Sequence, residues 1–360
     1  MKGPRQDVQR HYRNGRQQVA IASSIVAYAP GPEGRGRPGL WRWLLAIGLA
    51  VVLLYEVLHG VDWMRVWRTV VAARWQFLAG AGLISVGSFV VRALRWRILL
   101  NAGVTTPLPI RTVFRANMAG YLGNNVLPAR AGEVIRSLLI SSQSSLSRTY
   151  VLTTAMSERV SDAIVLVLWG SLMLSRVAKP AWMEGVAHTM TLAAAAGAVS
   201  LLVLPHAEGP LLRILEWLPV PAALKARMKG LAGQILSGIR AFHDVGRFAG
   251  FAALTAIIWM ADASALMVAA RALGLDVRFP AAVLLLTAMG LGSALPSTPG
   301  YVGIYQFAAV TVLSVFGIAR EQALAYSLVT QALGYVVVAI LGVPGMYGAV
   351  ARGKIRGVTG

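Results

Sequence analysis

Apolar runs separated by short polar or basic segments make up most of the chain after residue 40. A helix needs about 20 consecutive, mostly apolar residues to cross the hydrocarbon core of a bilayer. Six runs approach or exceed this length, at about 41–58, 76–100, 150–174, 186–204, 248–273 and 323–350. The pattern therefore predicts an all-α, polytopic membrane protein with about six full spans.

Two more apolar segments, at about 112–140 and 279–317, are each interrupted by proline and glycine with the spacing L-P-x-x-x-G. Irregular backbone at membrane depth is tolerated only where it is buried in protein or lines a cavity. We therefore predict two broken, re-entrant helical hairpins. The expected hinge residues are Pro128 and Gly132 in the first hairpin, and Pro296, Pro299, Gly300 and Gly303 in the second.

The order of crossings gives the two predicted hairpins opposite orientations. With a cytoplasmic N-terminus, the first hairpin enters from the cytoplasm and the second from outside. Paired Gly/Pro-interrupted segments in corresponding places of two halves are typical of inverted-repeat transporters, whose site lies at the repeat interface. The alternative is that each broken segment crosses fully as two kinked helices, and the sequence leaves that alternative open.

Polar segments flank or interrupt the predicted transmembrane domain, residues 40–351. Residues 1–39 are basic and rich in Gly and Pro, which predicts a disordered tail. Residues 61–75 carry Trp, Val and Arg at helical spacing, which predicts an amphipathic helix at the membrane interface. The linker at about 206–247 predicts a basic amphipathic helix on the cytoplasmic surface, and residues 352–360 a cytoplasmic tail.

Charge and composition agree with a membrane protein and exclude several other classes. Lys and Arg number 34 against 14 Asp and Glu, a net charge of +20, yet charged residues are only 13% of the chain. The basic residues sit mostly at the ends of apolar runs, as the positive-inside rule requires, so nucleic acid is not an expected partner. Cys is absent and the five His are scattered, so we predict no metal and no cofactor.

Ionisable residues inside predicted membrane segments are costly and usually face a cavity or a partner. Glu133 and Arg136 are spaced i, i+3 and are expected to pair on one helical face. Glu158 and Asp162 are spaced i, i+4 on the third span, beside Arg159. These three either form an ion-pair network that fixes helix packing or contact a substrate, and the two roles are compatible.

Other polar residues also carry two interpretations. Arg92, Arg95 and Arg97 near the end of the second span either snorkel to the headgroups or form a cluster that faces lipid phosphate. Asn124 and Asn125 either cap the broken helix or contact a headgroup. Glu158 and Asp162 could supply a hydrolase carboxylate pair, but we find no nucleophile or phosphate-loop motif, so we do not expect an enzyme.

Four motifs occur in order along the chain: ALRWR at 93–97, NNVLPARAGEVIR at 124–136, ERVSD at 158–162 and LPSTPGYVG at 295–303. They resemble the flippase-like family, which includes the transmembrane region of lysylphosphatidylglycerol synthase. The resemblance covers about residues 41–350 and implies a stand-alone member, without the synthase domain, that handles lipids between leaflets. The family often has Glu and Arg where this chain has Gln306 and Gln331, which predicts a neutral pair in place of an ion pair.

The leading hypothesis is a lipid translocator with a polar cavity between the two hairpins, for an anionic or polyprenol-linked lipid. The expected substrate-binding residues are Asn124, Asn125, Arg130, Glu133, Arg136, Glu158, Arg159, Asp162, Thr298 and Gln306. In this hypothesis Arg130 and Arg136 contact the phosphate, since Arg binds phosphate bidentately. The alternatives are an accessory subunit for a glycosyltransferase or other lipid-modifying enzyme, and a small-ion or proton-coupled solute transporter. We expect the cytoplasmic (inner) membrane of a prokaryote, with both termini cytoplasmic.

Overall fold

The computed structural model describes residues 39–127, 131–177, 244–293 and 298–350, with a few isolated positions between 184 and 228. These four continuous ranges are helical and contain no strand. The helices are α1 Gly39–Leu58, α2 Trp63–Val71, α3 Trp75–Asn101, α4 Ile110–Val126, α5 Ala131–Ser141, α6 Arg148–Leu174, α7 Val245–Ala272, α8 Phe279–Gly292, α9 Ile304–Val315 and α10 Arg320–Val350. A single turn of 3₁₀-helix, Pro299–Tyr301, lies between α8 and α9.

Several predicted segments lie outside the described residues. They are the tail 1–39 except for its last residue, most of the fourth span 186–204, the linker 206–247 up to residue 243, the tail 352–360, and the predicted site or hinge residues Pro128, Arg130 and Pro296.

Polar side chains at three helix starts satisfy free backbone N–H groups, as capping requires. Asp62 accepts from the backbone N–H of Met64 and Arg65 at the start of α2. Ser147 does the same for Tyr150 in α6, and Asp244 for Arg247 in α7. These caps fix where the helices begin.

Three of the described helices are long and apolar enough to cross a membrane: α3, α7 and α10, the last over Arg320–Met346. The first apolar run passes the same test only together with α2, and the chain bends by 88° between Ile47–Leu58 and Trp63–Val71. Helix α6 has the same length as α3, 27 residues, but carries Glu158, Arg159 and Asp162 in its middle. The described part of the chain is therefore all-helical and membrane-type, with three clear apolar spans.

Helix α2 has the segregated faces predicted for residues 61–75. Val66 is buried against α1 and α10, whereas Trp63 and Trp67 are exposed. Asp62 and Arg65 form an exposed ion pair beside them. The amphipathic helix is thus present, and it packs against the last long helix.

Two pairs of short helices occupy the places of the predicted hairpins. Helices α4 and α5 run antiparallel and touch along their length, and α8 packs against α9. At 1.5 Å per residue, α4 spans about 25 Å and α5 about 17 Å, so neither crosses a hydrocarbon core of about 30 Å alone.

The helix contacts follow one pattern in two four-helix units, α3–α6 and α7–α10. The first helices of the units, α3 and α7, pack against each other. Helix α4 of the first unit packs on α10, and α8 of the second unit packs on α6. Within each unit, every helix contacts the next one, and the first helix contacts the last. Exchanging the two units leaves this set of contacts unchanged, whereas the contact between α3 and α10 has no counterpart of similar size between α7 and α6.

The apolar core is divided between the two units. One cluster includes Trp96, Val113 and Ile140 of the first unit, and the larger one includes Leu285 and Leu313 of the second. Alanines recur in the larger cluster, as in the close helix packing typical of membrane proteins.

Candidate functional site

Eight ionisable side chains from four helices meet in the first unit and at its contact with the second. They are Arg92 and Arg95 on α3, Glu133 and Arg136 on α5, Glu158, Arg159 and Asp162 on α6, and Asp262 on α7. We call these eight residues the charge network. Its four arginines and four carboxylates have formal charges that cancel, as expected for ions buried away from water.

Arg136 is the central member of the charge network. Its Nη1 donates to Glu158 Oε2 at 3.0 Å and to Asn117 Oδ1 at 2.9 Å. Its Nε lies 2.6 Å from Glu133 Oε2, which confirms the predicted i, i+3 ion pair. The guanidinium carbon also lies 4.6 Å from the centroid of the Trp96 ring. Arg136 is therefore held on every side and has little freedom to reach a phosphate.

Arg95 contacts both carboxylates of α6, Asp162 and Glu158. Its Nη1 and Nη2 donate to the two oxygens of Asp162 at 2.6 and 3.0 Å, the fork geometry that favours Arg. Its Nε reaches Glu158 Oε1 at 3.3 Å, and Nη1 also donates to Thr255 Oγ1 at 3.2 Å. Glu158 thus bridges Arg95 and Arg136. The three charged residues of α6 are therefore ion-paired, one of the two roles considered for them, and their partners lie on α3 and α5.

The structure corrects both interpretations offered for Arg92 and Arg95 of α3. Arg95 is 2% exposed and paired, and Arg92 is ion-paired with Asp262, so neither snorkels nor presents a free charge to lipid. Asp262 also accepts from Ser88 Oγ at 2.6 Å. Arg97 Nε donates to the backbone carbonyl of Leu108 at 2.5 Å. Partners on other helices therefore hold Arg92 and Arg95 inside the protein, whereas half-buried Arg97 is bound by the loop that follows α3.

Arg159 is the most exposed member of the charge network, with 33% of its side chain accessible. Its Nε and Nη2 both contact Glu133 Oε1, at 2.9 and 2.8 Å. Its guanidinium carbon lies 5.8 Å from the centroid of the Tyr121 ring. Arg159 is therefore the cation of the charge network that a ligand would meet first.

A small depression lies between α4, α5 and α6, lined by polar residues that include Asn117, Asn124, Glu133 and Arg159. It has about 130 Å³ of open space between atoms, none of it wide enough for a water molecule. All of its lining residues belong to the first hairpin and α6, so this depression is not the polar cavity expected between the two hairpins, which stays a prediction. Its charged side chains pair with each other.

Glycines bring the arms of the first hairpin close enough to form this depression. A Cβ at Gly132 would collide with the backbone carbonyl of Gly120 and the side chain of Asn124. Asn124 Oδ1 accepts from the backbone N–H of Gly132 at 3.0 Å, so it caps the start of the opposite arm, the first of the two roles considered for it. Asn125 is half-buried at the end of α4.

The second hairpin is tied to α10 by neutral groups. Gln306 Nε2 donates to Gln331 Oε1 at 2.6 Å, so the predicted neutral pair is present. Gln331 Nε2 and the Tyr335 hydroxyl both donate to the backbone carbonyl of Gly300, at 2.7 and 2.6 Å. Gly300 and Gly303 have φ of 71° and 89°, which favours glycine at both hinge positions.

The structure separates the predicted site residues into two groups. Glu133, Arg136, Glu158, Arg159 and Asp162 meet in the charge network. Thr298 and Gln306 make their described hydrogen bonds within the second hairpin or to α10. Sequence reasoning did not assign Arg92, Arg95, Asn117 and Tyr121 to the site, because their partners are distant in the chain.

Apolar spans, broken helices and a buried, charge-balanced network define a polytopic helical membrane protein. Residues 43–342 match the family model for the lysylphosphatidylglycerol synthase transmembrane region, and the chain belongs to that family. It is also 25% identical over 313 residues to a UPF0104 membrane protein of Methanothermobacter thermautotrophicus. That similarity covers 82% of this chain and 90% of the relative. The resemblance predicted from the four motifs is confirmed.

Proposed function

We propose that this protein moves lipids with polar headgroups between leaflets, as a flippase- or scramblase-like translocator without catalytic activity. The charge network carries the proposal. Buried ionisable residues in membrane segments are expensive and mark functional pathways. A network of eight such groups beside a broken helical hairpin matches the way translocators admit polar groups into the membrane.

The proposal includes an inverted repeat, with α3–α6 and α7–α10 as its two units. The contacts that survive exchange of the units support this arrangement, as does the L-P-x-x-x-G spacing shared by the two hairpins. The short hairpin helices would enter from opposite sides, with six full spans around them. Both termini would then be cytoplasmic, in the inner membrane of a prokaryote.

In this mechanism the headgroup of an anionic or polyprenol-linked lipid approaches the first hairpin at Arg159, and the acyl chains remain in the bilayer. The narrow depression described above must widen for the headgroup to pass. Arg159 is the residue best placed to begin that change, since it is partly exposed and bound to a single carboxylate oxygen.

Leaflet exchange of a fluorescent anionic lipid in proteoliposomes tests the proposal. Wild-type protein should accelerate exchange, and Glu158→Gln and Arg136→Ala should each slow it. Asp276→Asn, which breaks an exposed ion pair with Arg278, is the matched control and should keep the wild-type rate. Wild-type rates in both network variants would remove this site assignment. No exchange by the pure protein, with co-purification of a glycosyltransferase, would favour the accessory role.

A further inference from the structure

One buried donor in the depression lacks a partner. Asn117, on α4, is 1% exposed, and its Nδ2 has no hydrogen-bond partner among the described residues. Its Oδ1 accepts from Arg136 Nη1 at 2.9 Å, so turning the amide over would place two donors together. The orientation is therefore fixed by Arg136. Since buried donors are almost always paired, this one needs an explanation.

Two more polar atoms beside Asn117 are incompletely satisfied. Arg136 Nε and Glu133 Oε2 lie 2.6 Å apart as an ion pair, but neither atom makes a well-aligned hydrogen bond. Both contacts of Arg159 with Glu133 fall on one oxygen, Oε1, although a guanidinium is suited to two acceptor oxygens at once. Glu133 is thus an imperfect partner for the donors around it.

Two of the residues that line the depression carry donors suited to the same kind of ligand. Asn117 has an unpaired amide N–H, and Arg159 has a guanidinium that contacts only one oxygen, and both bind oxygen acceptors. A tetrahedral phosphate offers several acceptor oxygens in different directions, whereas the Glu133 carboxylate offers two in one plane. A phosphate that displaced Glu133 could accept from Arg159 through two oxygens and from Asn117 through a third.

We propose that Asn117 is a phosphate-recognising residue and that Glu133 is a built-in competitor for the same place. The ligand is a phosphate group, and this inference rests on the proposed function in taking a phospholipid headgroup as its source. Phosphate replaces the Glu133 carboxylate as the partner of Arg159, so the arginine is paired both before and after binding. Asn117 adds a neutral donor, which stabilises bound phosphate without adding charge to the site.

Native mass spectrometry of the full-length protein with added lipids tests this inference. Asn117→Asp keeps an oxygen for Arg136 but replaces the donor with an anion, and should weaken retention of dioleoyl phosphatidylglycerol about tenfold or more. Retention of a phosphate-free galactolipid should not change. Asn101→Asp is the control, because Asn101 also uses its Oδ1, to accept from Leu108, but lies at the end of α3. It should retain phosphatidylglycerol as the wild type does.

Glu133→Gln should change retention in the opposite direction, since it removes the competing charge. Phosphatidylglycerol should then bind severalfold more tightly. This gain is independent of whether Asn117→Asp folds well. Wild-type retention in both variants would overturn the inference, as would equal losses for phosphatidylglycerol and the galactolipid.

Inorganic phosphate separates the two sources of the ligand. If it displaces phosphatidylglycerol from the wild type but binds Asn117→Asp at least tenfold more weakly, the site recognises the headgroup phosphate itself. If inorganic phosphate binds through Asn117 and the lipid does not bind, the inference holds and the proposed lipid translocation fails. If the wild type exchanges lipid and Asn117→Asp matches it in both retention and rate, the proposed function survives and this inference fails.

Discussion

The two broken hairpins attach to the helix that follows them in corresponding ways but with different chemistry. In the first hairpin, Arg136 of α5 bonds to Glu158 of α6 at 3.0 Å. In the second, Gln306 of α9 bonds to Gln331 of α10 at 2.6 Å. All four side chains are buried. One attachment is therefore an ion pair in a network of charges, and the other is a pair of neutral amides.

This difference shows whether the charges of the first hairpin are needed to attach it to its neighbouring helix. Taking an ion out of water costs several kcal/mol, which the attraction between buried ions only partly returns. The second hairpin shows that neutral amides are sufficient to hold a hairpin arm against its neighbouring helix. The charges at the first hairpin are therefore not required for attachment alone, and the proposed function assigns them to the polar ligand.

Glycine also serves the two hairpins differently. In the first, Gly120 and Gly132 let two helix backbones approach, so that a Cβ at Gly132 would meet the backbone carbonyl of Gly120. In the second, Gly300 takes a φ of 71° and its nearest neighbour is the hydroxyl of Tyr335. The first hairpin is set by helix contact and the second by a backbone turn.

Neutralising one member of the charge network should give the largest effect. Glu158→Gln leaves Arg95 and Arg136 short of an anion, which should lower the free energy of unfolding by about 3–5 kcal/mol. Thermal unfolding in detergent measures this loss. Asp276→Asn, which breaks the exposed pair with Arg278, should change it by less than about 0.5 kcal/mol. Equal effects for the two variants would show that the charge network is not buried.

Filling the closest approach in the first hairpin should come next. Gly132→Ala places a Cβ against the Gly120 carbonyl, and backbone cannot move aside easily, so we expect a loss of about 3 kcal/mol. Gly334→Ala in α10 is the control. A Cβ there meets nothing within 4 Å, and Ala favours helix by about 1 kcal/mol. Similar thermal stability for the two alanine variants would contradict the packing described for α4 and α5.

Replacing the Arg136–Glu158 ion pair with a pair of neutral amides should affect stability and lipid exchange differently. Arg136→Gln with Glu158→Gln removes one charge of each sign, so the remaining network is balanced at three against three. The double variant should recover about 1–2 kcal/mol relative to Glu158→Gln alone. It should nevertheless exchange lipid as slowly as the single variant in proteoliposomes. Full recovery of exchange would mean that the ion pair is only an attachment.

Removing the neutral attachment should give the smallest effect. Gln331→Leu deletes the hydrogen bonds to Gln306 and to the Gly300 carbonyl, at a cost of about 1–2 kcal/mol in unfolding free energy. Because the second hairpin serves mainly as structure in this scheme, the rate of lipid exchange should fall by less than in Glu158→Gln. A larger loss of exchange in Gln331→Leu would reverse the roles assigned to the two hairpins.

Some of the candidate site followed from local spacing. The pair Glu133–Arg136 lies within one helical turn, so helix periodicity alone brings its members together. The neutral pair Gln306–Gln331 required the family resemblance, because its members lie on different helices. The caps at Ser147 and Asp244 are local in the same sense, although the sequence reasoning did not single them out.

The partners of the arginines on α3 could not be predicted in this way. Arg95 binds Asp162 across 67 positions, and Arg92 binds Asp262 across 170. A helical pattern shows which face of a helix is polar but not which other helix covers it. Asn117 gave no signal, because a single Asn in an apolar segment has many roles and only its packing shows an unpaired donor.

The sequence by itself determined the helical membrane class, the bounds of the described apolar runs to within a few residues, and the positions of the two proline-glycine breaks. These depend on composition and on spacing along one helix, which are local properties. Only the tertiary structure decided that the charges pair with each other, that the depression between them is narrow, and that Arg159 is its accessible cation. Helices distant in the chain must pack before a buried charge has a partner, and packing is a property of the whole molecule.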